Sequence, residues 1–222
     1  MANLPSLDTQ AKVVSDAAQN FVEHYYESLN KRQPLAQYYA SASGHLSSAS
    51  VKPDISINGR VVESVAAYEA LLDAQGRNVQ YTVASFDAQP VSPNYALGCP
   101  EALSGLSAPE NTPSSNPPGR GGKVAKSVRD GDRVSFAVQV NGTIRYGKPG
   151  DAPPPATTAT ATATATAPAV GGAGDSTQGD GEPLETAFNE AWLLVPHWEA
   201  LGRNAPRGLR KWVVVSQNFR AF

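Results

Sequence analysis

Apolar residues recur at three- and four-residue steps up to Leu72 and at two-residue steps from Val79 onward. That change of period divides the chain into a helical front and a stranded back. Val14, Ala17, Ala18, Phe21, Val22, Tyr25 and Leu29 trace one stripe of an amphipathic helix that Ser6 or Asp8 can cap and that ends near Asn30. Pro34 suits the first turn of a short second helix, Leu35–Ala40, where its missing N–H costs nothing. Leu46–Ile57 reads as a short strand or extended segment closing on the turn pair Asn58-Gly59. A third helix is expected over Val61–Gln75, with Val65, Tyr68, Leu71 and Leu72 inward and Gly76 as its stop.

Beyond Gly76 four segments alternate: Val79–Phe86, Val134–Val140, Phe188–Pro196 and Lys211–Phe219. Alternation with mixed polarity marks an antiparallel sheet packed on one face. Asn141-Gly142 is a hairpin signal, yet Thr143–Tyr146 continues the alternation, so a bulge or bend in one long strand is equally allowed. Helices first and strands afterwards give an α+β class.

Two stretches cannot contribute to a core. Gly98–Asp130 is dominated by Pro, Ser, Gly and Ala, and Gly147–Pro183 by Pro, Ala, Thr and Gly, including a Thr-Ala repeat without charge or aromatic residue. Such composition buries too little apolar surface to offset the entropy of ordering, so both are expected as flexible insertions, the repeat a neutral spacer. About 150 of the 222 residues remain, enough for one domain and too few for two. The expectation is a single domain, 7–222, interrupted at 98–130 and 147–183. The longest apolar run, around Trp192–Val195, is far short of the roughly 20 residues a membrane helix needs. Met1–Asp8 has no basic or apolar leader pattern. Cys99 is the only cysteine, which suits a reducing compartment, and Asn141-Gly142-Thr143 is then a chance glycosylation match.

Few residues carry chemistry by their spacing. His24, His45 and His197 show no metal-ligand pattern, and neither a metal nor any other cofactor is expected. Gly119–Lys123 lacks the glycine offset of a phosphate loop, and Val124 stands where Ser or Thr should hold magnesium. The net charge of −2 excludes a uniformly basic surface, but two local patches stand out. Arg120, Lys123, Lys126 and Arg129 form one, and Arg203, Arg207, Arg210 and Lys211 the other, with no acid interleaved. They are candidates for salt-sensitive, sequence-independent contact with an RNA backbone; no aromatic residue interleaves them for base stacking.

Three runs carry a resemblance. Phe21–Tyr26 followed by Asn30-Lys31-Arg32, then Phe86–Val91, then Lys211–Arg220 resemble the first helix, second strand and last strand of the small subunits of TAP-type mRNA export receptors. The two long insertions resemble the fungal version of that subunit, the mRNA transport regulators. The fold implied is the nuclear transport factor 2-like cone, three N-terminal helices packed on a strongly curved antiparallel sheet. The function implied is non-catalytic: heterodimerisation, sheet against sheet, with the nuclear transport factor 2-like domain of a large receptor. The pair would carry mRNA, and in fungi pre-ribosomal subunits, through nuclear pores by binding Phe-Gly nucleoporins, shuttling between nucleus and cytoplasm.

The partner surface is placed on the outer face of the last three strands. One of Trp192 and Leu193 must point outward, and likewise one of Trp212 and Val213. Trp192, Trp212, Gln217 and Arg220 are the expected partner contacts, Arg220 matching a family arginine that pairs with an acid of the large subunit. The same fold also hosts dehydratases and isomerases, for which Tyr25, Tyr38, Tyr39, Tyr81, Asp87 and His24 are the acid–base candidates. Tyr25 reads rather as core and Asp87 as a turn residue before Pro90. A homodimeric import carrier is the remaining alternative, which the insertions disfavour.

Overall fold

The computed structural model describes residues 4–76, 78–104, 128–147, 184–202 and 205–222. Helix α1 (Leu7–Asn30) starts at Ser6, whose hydroxyl accepts from the Thr9 N–H, and buries the stripe Val14, Ala18, Phe21, Val22, Tyr25 and Leu29. The expected second helix is instead two 3₁₀ turns, Ala36–Tyr38 and Ala40–Ala42, separated by extended Tyr39. Tyr39 bridges to Val214, and that sheet contact interrupts the helix. Helix α2 (Gly44–Ser48) occupies the start of the segment expected to be extended, because Ser43 caps it and Leu46 is fully buried.

Strands β1 (Asp54–Ile57) and β2 (Arg60–Val62) form a hairpin around Asn58-Gly59, both with positive φ. The hairpin takes the first residues of the expected third helix, so α3 begins only at Val65, behind the Ser64 cap, and runs to Ala74. Strand β3 (Val79–Ser92) continues through Asp87 and Pro90, where a turn was expected, and helix α4 (Glu101–Ser104) follows. Strands β4 (Ser135–Tyr146), β5 (Leu184–Pro196) and β6 (Trp212–Ala221) complete one six-stranded sheet ordered β2-β1-β6-β5-β4-β3. Every pairing is antiparallel except β1 with β6.

Asn141-Gly142 lies inside β4, and the irregularity falls opposite it on β3, between Val83 and Ser85. Gly142 is there for space: a Cβ would sit 2.6 Å from the Phe188 ring and closer still to the Thr82 carbonyl. Phe188 lies directly across the ladder and packs into the core.

The main core fills the side of the sheet that α1 covers. A second cluster lies on the opposite side, where Val195 and Val213 are covered by Ala40, Leu46 and Trp198, with Tyr95, Cys99 and Leu103 against them. Residues 98–104, assigned to the first insertion by composition, are therefore part of the packed domain. Residues 105–127 and 148–183, the bulk of both expected insertions and all of the Thr-Ala repeat, lie outside the described residues.

Candidate functional site

Two surfaces follow from this arrangement, one enclosed under α1 and one, on the far side of the sheet, left uncovered by the described residues. Under α1, the ring of Trp192 on β5 meets Phe21, Tyr25 and Tyr26 at centroid distances of 5.2, 4.9 and 5.8 Å. Beside it Glu190, also on β5, is fully buried. Tyr26 donates to Glu190 Oε2 at 2.6 Å and Gln217 Nε2 to Oε1 at 2.5 Å. Tyr39 donates to Gln217 Oε1 at 2.6 Å, and the Tyr25 and Tyr39 hydroxyls lie 3.0 Å apart. Burial pushes the Glu190 carboxyl up to about 7, against the opposing pull of the Tyr26 and Gln217 hydrogen bonds. Burial likewise holds the Tyr25, Tyr26, Tyr39 and Tyr68 hydroxyls well above their ordinary range.

A carboxyl titrating near neutrality among tyrosines is the inventory of acid–base chemistry. Here each Glu190 oxygen is engaged by a protein donor and the residue has 0% of its surface exposed. The cluster holds the sheet to α1 and the Tyr39 turn; it offers a substrate no room at the carboxylate. The other acid–base candidates are dispersed. His24 Nδ1 is tied to the Asn20 carbonyl at 2.8 Å, Tyr81 donates to Gln75, and Asp87 accepts from Gln89 on the exposed part of β3. Tyr38 donates to the His24 carbonyl beneath the Arg210 guanidinium, which lies 4.0 Å from the ring centre. Glu190 itself went unnoticed in the sequence, although it stands in phase with Phe188, Trp192 and Leu194 on the inward side of its strand.

On the far face the cross-strand register defines five rows. Gln80, Arg145 and Glu185 form one end, followed by Thr82, Thr143 and Ala187. Ser85, Asn141, Asn189 and Arg220 make the middle row. Asp87, Gln139, Ala191 and Asn218 come next, then Gln89, Ala137, Leu193 and Ser216. All are exposed or half-exposed. Asn189 Nδ2 donates to Asn141 Oδ1 at 2.9 Å, so the middle row is knit by its own amides. The face ends where the second cluster begins. There Glu199 accepts from the Ser43 hydroxyl (2.6 Å) and the His45 N–H (3.0 Å) and lies 3.3 Å from His197 Nε2. Burial raises the Glu199 carboxyl, but these hydrogen bonds outweigh it and hold the group below the usual range.

Of the four expected partner contacts, only Arg220 stands exposed on this face. Trp192 and Gln217 are 2% and 1% exposed and belong to the interior cluster, which does not fit an outer contact for either side chain. Trp212 points inward too, its ring 5.8 Å from Phe136 and its indole N–H on the Val134 carbonyl at 2.9 Å. A shift of register between Leu193 and Leu194 changes which β6 residues face inward, from Trp212 and Val214 to Gln217 and Phe219.

The basic candidates separate as well. Arg120, Lys123, Lys126 and Arg203 lie outside the described residues, while Arg129, Arg207 and Lys211 are exposed. Arg210 is committed to Tyr38, donating to its hydroxyl at 2.7 Å. Arg210, Lys211 and Trp212 also line a groove of about 700 Å³ whose other wall includes Asp16, His24 and Asp130, so its charge is mixed.

No protein-family model matches the chain, and no curated protein sequence does. Solved structures do. The Chaetomium thermophilum Mex67 NTF2-like domain complexed with Mtr2 aligns at 24% identity and a TM-score of 0.65, covering 94% of this chain and 98% of that one. A complex of the Sac3N peptide with Mex67:Mtr2 aligns at 23% identity, TM-score 0.66, covering 94% and 99%. A structure of Mtr2 aligns at 22% identity, TM-score 0.64, covering 94% and 99%. The chain has the NTF2-like α+β fold, as its sequence resemblance implied.

Proposed function

We propose that the chain is the non-catalytic small subunit of a heterodimeric mRNA export receptor, packed through the outer face of β3–β6 against the NTF2-like domain of a Mex67-type large subunit. The observation that carries this reading is the outer face: among the described residues nothing covers its four long strands, while the interior of the same sheet is filled. A strand-spacing estimate gives that face roughly 600 Å² in projection, of the order that one side of a standard interface buries. Likeness in fold to Mtr2 along nearly its whole length supports the same assignment. Arg220, exposed in the middle row, is positioned to fork onto a partner carboxylate.

Within this reading the complex binds Phe-Gly nucleoporins, carries mRNA and pre-ribosomal subunits, and shuttles between nucleus, nuclear pore and cytoplasm. Arg129, Arg207 and Lys211, with Arg120, Lys123, Lys126 and Arg203, lend salt-sensitive RNA-backbone contact. Affinity purification of the tagged chain from its own cells tests the core claim. Recovery of a Mex67-type subunit at one-to-one stoichiometry is expected. A homodimer would favour an import carrier instead, and a monomer converting a small molecule would favour an enzyme.

A further inference from the structure

Among the described residues the outer face carries little apolar bulk; its longer side chains are polar or charged. Ala137, Ala187, Ala191, Ser85 and Ser216 present little beyond backbone, and Leu193 is the one large aliphatic residue among the five rows, half-buried at the border of the second cluster. Large exposed apolar groups are Val91 at one edge and Phe222, which pairs with Ala187 and ends that row. Two sheets packed face to face sit about 10 Å apart, and side chains from both must fill the space between. A face of this kind supplies polar chains and short ones, and leaves the apolar filling to its partner.

We propose that the face is a socket that selects a partner of the opposite character: a sheet carrying large apolar or aromatic side chains over the Ala191 and Ala187 positions, with polar groups to meet Asn141, Gln139 and Asn218. This rests on the heterodimer reading and names the chemistry that reading requires of the large subunit. The same property rejects a second copy. Two such faces would enclose voids where neither supplies volume, and each would bury amides against groups not arranged to satisfy them. Heterodimer specificity is thus written partly as missing side chains. Arg220 and Asp87, at opposite sides of the central rows, give the socket a charge polarity that a partner must match with an acid near the first and a base near the second.

The test uses the full-length chain and the NTF2-like domain of the Mex67-type receptor from the same cells. Sedimentation of the chain alone should give a monomer. Ala191→Trp puts a large ring into the socket's centre, and because Ala191 is exposed the variant should melt with wild type. Its affinity for the receptor domain should fall by roughly 100-fold or more, as for a clash built into a packed interface. Ala191→Ser should bind as wild type. Should Ala191→Trp melt early, Ala187→Trp carries the same test at another row. A wild-type pair that forms normally and tolerates both tryptophans overturns the socket but leaves the heterodimer standing. So does a homodimer of the chain that the tryptophans dissociate. Failure of the wild-type chain to bind the receptor domain at all refutes the heterodimer reading itself.

Discussion

Glu190 sits between Tyr26 and Gln217 with none of its surface in water, and its carboxyl is raised from 4.5 to about 7. In the unfolded chain it titrates near 4.5, so the folded state holds the proton more tightly. An acid with a raised folded value stabilises least when ionised: stability is undiminished below about pH 4.5, declines as pH rises toward 7, and levels off above it. A difference of about 2.5 units corresponds to about 3 kcal/mol lost across that window. Glu190→Gln keeps the shape and removes the titration. Chemical denaturation of both proteins at intervals from pH 5 to 8.5 isolates the group, because all other ionisations cancel in the difference. The variant should gain on wild type by about 2.5 kcal/mol between pH 5 and pH 8.5, part of the loss being complete by pH 5, even if one lost acceptor costs it about 1 kcal/mol throughout. Parallel curves would refute the assignment of a buried, neutralised carboxyl.

Two further outcomes follow from particular contacts. Gly142→Ala drives a methyl into the Phe188 ring and the Thr82 carbonyl, and should destabilise the fold by about 2 kcal/mol or more in a denaturant melt; an unchanged midpoint would mean the β4 backbone shifts freely. Arg220→Glu should leave the melt within about 0.5 kcal/mol of wild type, the residue being exposed, yet weaken capture of the Mex67-type domain, most at low salt. Capture that is unchanged at both low and raised salt would remove Arg220 from the interface.

The helical front was legible because its signals are local. The α1 stripe and its Ser6 cap, the Asn58-Gly59 turn and the Gly76 stop all act within one turn of chain. What failed locally was decided by distant contacts. Tyr39 leaves the helical path because Val214, far along the chain, bridges to it, and α2 forms where Leu46 can reach Trp198 and Val195. The alternation of β5 showed that Trp192 and Leu193 face opposite ways without saying which faces inward. On β6 even the phase was hidden, since the register shift beside Leu193 moves the inward set from Trp212 to Gln217.

That undetermined phase carries the functional question. In a strand, whatever fills one side is withdrawn from the other. With Phe188, Glu190, Trp192 and Leu194 turned inward, β5 closes the space under α1 and leaves Ala187, Asn189, Ala191 and Leu193 outside. The opposite phase would have exposed the tryptophan and opened a hollow beneath the helix, the arrangement a substrate needs. A filled interior and an outer face uncovered by the described residues are therefore one structural choice, made by the aromatic rings of α1 meeting Trp192. It packs the space under α1 and, among the described residues, leaves the outer face uncovered in the same step.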